Sequence, residues 1–173
     1  FLVDANGSLT PETALRMLQV LPQGLDFVLE APCRTWRETL SLRKRCSVPI
    51  ALDELIQEDH DVAQAIALDA ADGIGLKLSK AGGITPARRQ RDMCRAAGLT
   101  MSVQDTVGSD VSFAAVAHLG QTVPERLLRC VLDVRGMVSQ TTATLDAPIK
   151  DGGVLLGDAP GLGIAVDRKV MGA

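Results

Sequence analysis

The chain carries no surplus of positive charge: 18 lysines and arginines stand against 21 aspartates and glutamates in 173 residues, a net charge of −3. Without a basic excess it has little to offer a polyanionic backbone, which argues against a nucleic-acid partner. It also lacks any uncharged apolar run near the ~18–20 residues of a membrane span, and its first residues hold no basic stretch leading into an apolar one. We expect a cytoplasmic protein with no membrane partner. Cys33, Cys46, Cys94 and Cys130 are widely separated with no CxxC pair, so the thiols read as reduced rather than as a disulfide frame or a zinc site. His60 and His118 fall in helical patterns without a partner at ligand or triad spacing, and both read as structural. There is no Walker-type Gly-Lys-Ser/Thr ending and no full GxGxxG, so Pro160-Gly161-Leu162-Gly163 reads as a loop rather than a phosphate cradle. The chain opens on Phe1, inside a strand-like run and without an initiator Met, and we expect it to be a piece of something longer.

What is present is a globular composition, 46% hydrophobic and 23% charged, and an internal rhythm. Repeatedly, a short apolar or β-branched run ends in a charged residue and leads through turn chemistry into a helical pattern. The runs are Phe1 to Asp4, Asp26 to Glu30, Pro49 to Asp53, Gly73 to Lys77, Leu99 to Asp105 and Leu127 to Asp133. Each unit takes roughly 25 residues, near the ~30 of a βαβ step, so the chain is α/β with parallel strands. Thr10-Pro11 and Thr85-Pro86 each place an N-cap hydroxyl before a proline whose missing N–H costs nothing at the first helical position. Thr35-Trp36-Arg37-Glu38 has capping-box spacing, with Trp36 as a packing residue at the helix start, and Ser109 is placed to cap a later helix. Leu15, Leu18 and Leu21 mark one helix face, and Val62, Ala65 and Ile66 another.

After Asp133 the rhythm dissolves into loops and short edge strands. Residues 1–135 are therefore read as six βα units, and residues 136–173 as a C-terminal loop and short-strand segment closing the barrel or its cap. A doubly wound sheet and a TIM-type (β/α)8 barrel both produce this rhythm. The ionisable residue at every strand end favours the barrel, whose functional groups converge from several strand C-termini above one face. A doubly wound sheet would want a glycine fingerprint after its first strand. Six units cannot close eight strands, so the expected fold is a partial barrel, with two strands absent on the N-terminal side.

Asp4, Glu30 and Asp53 end successive strands, and neighbouring strands lie ~4.8 Å apart, so the three carboxylates are expected to converge within reach of one ion. Hard oxygen donors without His or Cys favour Mg²⁺, or Mn²⁺, over zinc. Glu54 follows Asp53 and by strand alternation points the other way, as an outer support. Lys77 ends the next strand. A lysine beside a divalent ion and a second lysine is disfavoured as an ammonium, as a general base near neutral pH requires, and Lys77 is assigned that role. Lys80, three residues on, either binds a substrate carboxylate or supports Lys77. Asp105 and Asp133, ending the next two strands, either orient Lys77 or hold a cationic substrate group, or else serve as helix caps or ion-pair partners. Cys33 sits in the loop after Glu30, as a pocket-lining thiol or a buried inert one. The chemistry these groups imply is abstraction of a proton α to a carboxylate, with the ion stabilising the enediolate that forms.

Val3-Asp4-Ala5-Asn6, Leu29-Glu30-Ala31-Pro32, Leu52-Asp53-Glu54, Leu76 through Gly83 and Pro160 through Gly163 are similar to the successive strand motifs of the enolase superfamily, in its muconate lactonizing enzyme branch. The resemblance spans essentially the whole chain and makes it strands three to eight of the barrel plus the C-terminal segment. It implies that Asp4, Glu30 and Asp53 are the Mg²⁺ ligands and Lys77 the acid/base of strand six. Within the branch, Glu30 to Cys33, Ser102 to Ser109 and Leu128 to Asp133 most resemble the enzymes of proline derivatives. The implied reaction is dehydration of cis-3-hydroxy-L-proline. The alternatives are epimerisation of 4-hydroxyproline betaine or proline betaine, or cycloisomerisation within the same branch.

Two features of the family are not in the sequence: the N-terminal capping domain and the strand-two Lys-x-Lys motif. This chain alone is therefore expected to be incomplete as a catalyst, and a non-catalytic half-barrel is the competing reading. Gln104 and Asp105 occupy the region where the mandelate racemase branch carries a His, and Asp133-Val134-Arg135 replaces the Asp-x-Asp of dipeptide epimerases. The expected partners are a small carboxylate substrate and, because open sheet edges seek pairing, further copies of the same chain.

Overall fold

The computed structural model describes residues 1–145, 147–170 and 172. Each of the six runs forms a strand: β1 (Leu2–Asp4), β2 (Val28–Glu30), β3 (Ile50–Leu52), β4 (Gly73–Lys77), β5 (Thr100–Gln104) and β6 (Leu128–Val131). They hydrogen-bond in chain order, β1 to β6, and every pair is parallel. A doubly wound sheet reverses its strand order at a switch point, whereas unbroken sequential order is the winding of a barrel. The sheet curls into a partial (β/α) barrel.

The crossovers are helical: α1 (Pro11–Val20), α2 (Trp36–Arg43), α3 (Asp59–Ala67), a single turn α4 (Leu78–Ala81) running into α5 (Ile84–Ala97), and α6 (Asp110–Gln121). Thr10 caps α1 with Pro11 as its first residue, the Thr35 and Glu38 side chains cap α2 reciprocally, and Ser109 caps α6. Trp36 is the first residue of α2 and packs partly buried against the core. The Thr85-Pro86 expectation needs correction. Gly83, at φ 117°, precedes the first helical residue, so α5 begins at Ile84 and Thr85 lies inside it. Pro86 is tolerated as the third residue, where the N–H would have no intrahelical partner. On α3, Val62 and Ala65 are buried while Ile66 is 37% exposed.

Strand alternation divides the two faces. Leu29, Ile50, Leu52, Ile74, Leu76, Met101 and Val103 are almost wholly buried and form one core with Leu42 of α2, Val62 of α3, Cys94 of α5 and Val116 of α6. Each such aliphatic side chain contributes roughly 1.5–3 kcal/mol by leaving water. The intervening residues, among them Glu30, Gly75, Lys77, Ser102 and Gln104, belong to the other face. Space there is tight: a Cβ added at Gly73 would lie 2.3 Å from the Thr100 hydroxyl and 2.7 Å from its backbone oxygen.

After β6 come β7 (Ala143–Leu145), β8 (Ile149–Lys150), β9 (Gly153–Val154) and β10 (Ile164–Val166). β7 pairs with β10 and β8 with β9, both antiparallel. Buried Asp110 ties this segment to α6 by accepting the amides of Thr142 and Ala143 at 2.8 and 3.3 Å. His118 Nε2 lies 3.3 Å from the Leu162 carbonyl, consistent with a structural role, and His60 is largely exposed. Among the described residues no helix is long and apolar enough to cross a membrane, and all four cysteines are free.

At the strand N-termini, Asp72 joins three strands. Arg43 donates to both its oxygens at 2.5 and 2.9 Å, and the Ile50 amide donates to Oδ2 at 2.9 Å. The Thr100 amide and hydroxyl donate to its backbone carbonyl. Burial pushes the Asp72 carboxyl up, but the bonds from Arg43 and Ile50 outweigh that and hold it below its ordinary 3.8. A carboxylate held low in the fold stabilises it above the unfolded value, and that stabilisation is lost as pH falls through the folded value. Urea denaturation should therefore show stability falling below about pH 4, with a smaller decline for Asp72→Asn, whose stability is already lower at pH 7.

Candidate functional site

The C-terminal strand ends form the rim on which the charged residues meet. Asp4 closes β1 directly opposite Glu30 of β2 in the register. Its Oδ1 accepts the Asn6 amide at 2.8 Å, and the residue stays exposed. Glu30 is only 4% exposed. Burial, then the carboxylates of Asp4 and Asp53, push its carboxyl up to about 7, against the opposing influence of Gln104 and Lys77. Asp53, one residue past β3, is 2% exposed. Lys77 Nζ, from the last residue of β4, donates to Asp53 Oδ2 at 2.5 Å. Lys80 Nζ donates to Asp53 Oδ1 at 3.0 Å and to its backbone carbonyl at 3.3 Å. The single turn of α4 explains this, because a three-residue helical step returns Lys80 to the side of Lys77.

Glu54 is exposed. Asp105, just after β5, is 9% exposed. Its Oδ1 accepts the amides of Thr106 at 2.8 Å and Ser79 at 3.3 Å, and the Ser112 hydroxyl donates to Oδ2. That carboxylate clamps the lysine-bearing turn to α6. Burial pushes it up, but these donors outweigh the cost and hold it below the ordinary range. Asp133 is paired with Arg135, whose Nε and Nη2 donate to it at 2.9 and 2.7 Å. The Arg135 guanidinium stacks 4.2 Å from the centroid of Phe113 on α6. Cys33 is 3% exposed, and burial pushes its thiol up to about 11, as for an inert core cysteine.

Gln104 was not singled out from the sequence as a site residue. It is the register partner of Lys77 on β5, and its Nε2 donates to Glu30 Oε1 at 3.2 Å from three strands away. Gly75 makes room for that reach, since a Cβ there would lie 2.5 Å from Gln104 Nε2 and 3.1 Å from Glu30 Oε1. The available signal was the Gly75-x-Lys77 spacing, which puts both on one strand face.

The expected convergence of Asp4, Glu30 and Asp53 within reach of one ion is not seen: among the described residues no three Asp, Glu, His or Cys side chains are drawn together as a ready metal-binding group. Both oxygens of Asp53 instead receive lysine ammoniums. The donor chemistry nonetheless fits a hard divalent cation: carboxylates only, with Glu30 raised first by burial and then by two neighbouring carboxylates.

A family model described as "Enolase C-terminal domain-like" matches residues 1–170. Over 171 residues the chain is 36% identical to cis-3-hydroxy-L-proline dehydratase of Roseibium aggregatum, covering 99% of this chain and 46% of that protein. Over 131 residues it is 37% identical to o-succinylbenzoate synthase of Thermobifida fusca, covering 75% of this chain and 40% of that protein. A solved structure from Roseovarius nubinhibens ISM, assigned to the mandelate racemase/muconate lactonizing enzyme group and complexed with magnesium, superposes with a TM-score of 0.94. It is 58% identical and covers 97% of this chain and 45% of that one. The chain thus spans less than half the length of these relatives.

The Asp105 clamp is directly testable. Asp105→Ala leaves two amides and a hydroxyl without their acceptor, and should cost roughly 2–4 kcal/mol in urea denaturation. Hydrogen exchange at the Ser79 and Thr106 amides should accelerate more than at strand amides of β3. Unchanged exchange there would remove the clamp from the account.

Proposed function

The chain belongs to the enolase C-terminal domain-like family, and from that premise we propose that it supplies the metal ligands and one acid/base of an enzyme that removes a proton α to a substrate carboxylate. The observation that carries this reading is the rim, where the carboxylates of Asp4, Glu30 and Asp53 end neighbouring strands and Lys77 Nζ lies 2.5 Å from one of them. Asp4, Glu30 and Asp53 would hold Mg²⁺. When bound, the ion stabilises the negative charge that the substrate carboxylate accumulates as the α-proton leaves.

The chain's own contribution is positional. Lys77 sits at the end of a central strand with only 14% of its side chain exposed and paired with Asp53; once Asp53 turns to a cation and the ammonium has given up its proton, the amine would be placed to take a proton from a carbon held above the rim. Lys80 holds the other Asp53 oxygen, so each oxygen carries an ammonium that an incoming cation would displace. Asp105 fixes the turn between the two lysines through the Ser79 amide.

The substrate we favour is cis-3-hydroxy-L-proline, on the resemblance to the dehydratase. In that reaction Lys77 Nζ would take the α-proton and the C–H electron pair would pass into the substrate carboxylate as an enediolate, whose collapse forms the Cα–Cβ π bond only as the bond from Cβ to the 3-hydroxyl oxygen breaks. The 3-hydroxyl then departs as water, protonated from the opposite face by a group that this reading places outside residues 1–173.

The test is proton NMR of the full-length protein with Mg²⁺ in D₂O, given cis-3-hydroxy-L-proline and, separately, 4-hydroxyproline betaine. Loss of the signal from the proton on the hydroxyl-bearing carbon, with formation of a pyrroline, is the expected result. Deuterium entering the α-position with the skeleton intact would make the enzyme an epimerase instead. Lys77→Ala should lower the rate by about 10²–10⁴-fold, the usual worth of a positioned base, and an undiminished rate would remove Lys77 from the mechanism.

A further inference from the structure

We propose that Gln104 is a positioning residue for the Glu30 carboxylate, and that Gly75 is kept without a side chain so that Gln104 can reach it. The inference rests on the metal reading above. Three observations place the pair together. Gln104 is 7% exposed and Glu30 4%, so neither group has bulk water as an alternative partner. Gln104 Nε2 donates to Glu30 Oε1 at 3.2 Å, although the residues stand on β5 and β2 with two strands between them. Gly75, on the intervening β4, is the point over which the amide passes, and a Cβ there would intrude to 2.5 Å of Nε2. Its φ is not in the left-handed region, so conformational freedom does not account for this glycine. Close approach does.

The chemistry gives the amide a direction. The structure has Gln104 presenting its NH₂ to Glu30, the orientation that suits Glu30 as the ionised, accept-only carboxylate it would be as a cation ligand. That donor occupies one Glu30 oxygen from the β5 side and leaves the other lone pairs free to face Asp4 and Asp53. Outer partners that orient a metal-binding side chain typically change affinity by 10–100-fold when removed.

The experiment titrates Mn²⁺ into the protein and its variants, reading free Mn²⁺ and the bound-ion signal by electron paramagnetic resonance, with thermal melting in parallel. Asp53→Asn tests the metal reading itself. Gln104→Ala removes the donor, Gln104→Met removes it while keeping the volume if the alanine variant does not fold, and Gly75→Ala displaces the amide while leaving it in the chain. We expect about 10–100-fold weaker Mn²⁺ binding in the folded Gln104 and Gly75 variants and an altered bound-ion spectrum. If the wild type binds Mn²⁺ through Asp53 but the folded Gln104 variants bind within twofold of it, the positioning role is overturned and the metal site stands. Lower melting temperatures with unchanged affinity would reduce the contact to packing and overturn it as well. If the wild type binds no Mn²⁺, or Asp53→Asn binds equally well, the metal reading fails and this inference fails with it.

Discussion

The constraint on which the rest depends is the twofold alternation of side chains along parallel strands laid down in chain order. It sends Leu29, Ile74, Leu76, Met101 and Val103 outward against the helices, and sends Glu30, Gly75, Lys77 and Gln104 to the other face. A slip of one residue in any strand would exchange these sets, burying a lysine or glutamate among aliphatic side chains and exposing a core residue. The apolar core therefore does more than hold the barrel together. By fixing the register it brings the charged strand ends to one rim.

That rim is electrostatically costly, because Glu30 lies buried beside two further carboxylates. The protein offsets the repulsion unevenly. Asp53, the most buried of the three, is gripped by Lys77 and Lys80; Glu30 has a neutral amide donor; Asp4 stays exposed and uses a local turn amide. The compensation falls off as solvent takes over, as the cost of burying charge requires. Acidic groups elsewhere are held differently. Asp72 and Asp110 are ringed by donors that outweigh burial, so they behave as structural pins.

Much of this was legible in the sequence, for a physical reason. A parallel strand buried on both faces, as β2 to β5 largely are, reads as a short apolar run, and a charge closing it is conspicuous; the more exposed β1 and β6 were placed by the same rhythm. Helix starts were legible where a side chain itself caps the helix, as at Thr10, Thr35 and Ser109. They were misread at Thr85, where a backbone feature, the positive φ of Gly83, sets the entry instead. Contacts between distant strands left no local trace. Gln104 and Glu30 are 74 residues apart, and nothing in either segment announces the other.

The strand-end aspartates illustrate how position and role separate. Asp53, Asp105 and Asp133 occupy equivalent places after β3, β5 and β6, yet their partners divide them. Asp133 meets an arginine two residues on that is itself stacked on Phe113, and Asp105 meets neutral donors from a neighbouring turn and helix. Both carboxylates have their acceptor capacity taken up by groups that help hold the fold. Asp53 alone of the three faces two lysines, neither bound to it by the chain's local geometry. A carboxylate saturated by its own backbone neighbourhood has little left for a ligand, whereas one held by flexible ammoniums can exchange them. The chemistry of a barrel rim is therefore better located by asking which strand-end charges have exchangeable partners than by counting the charges.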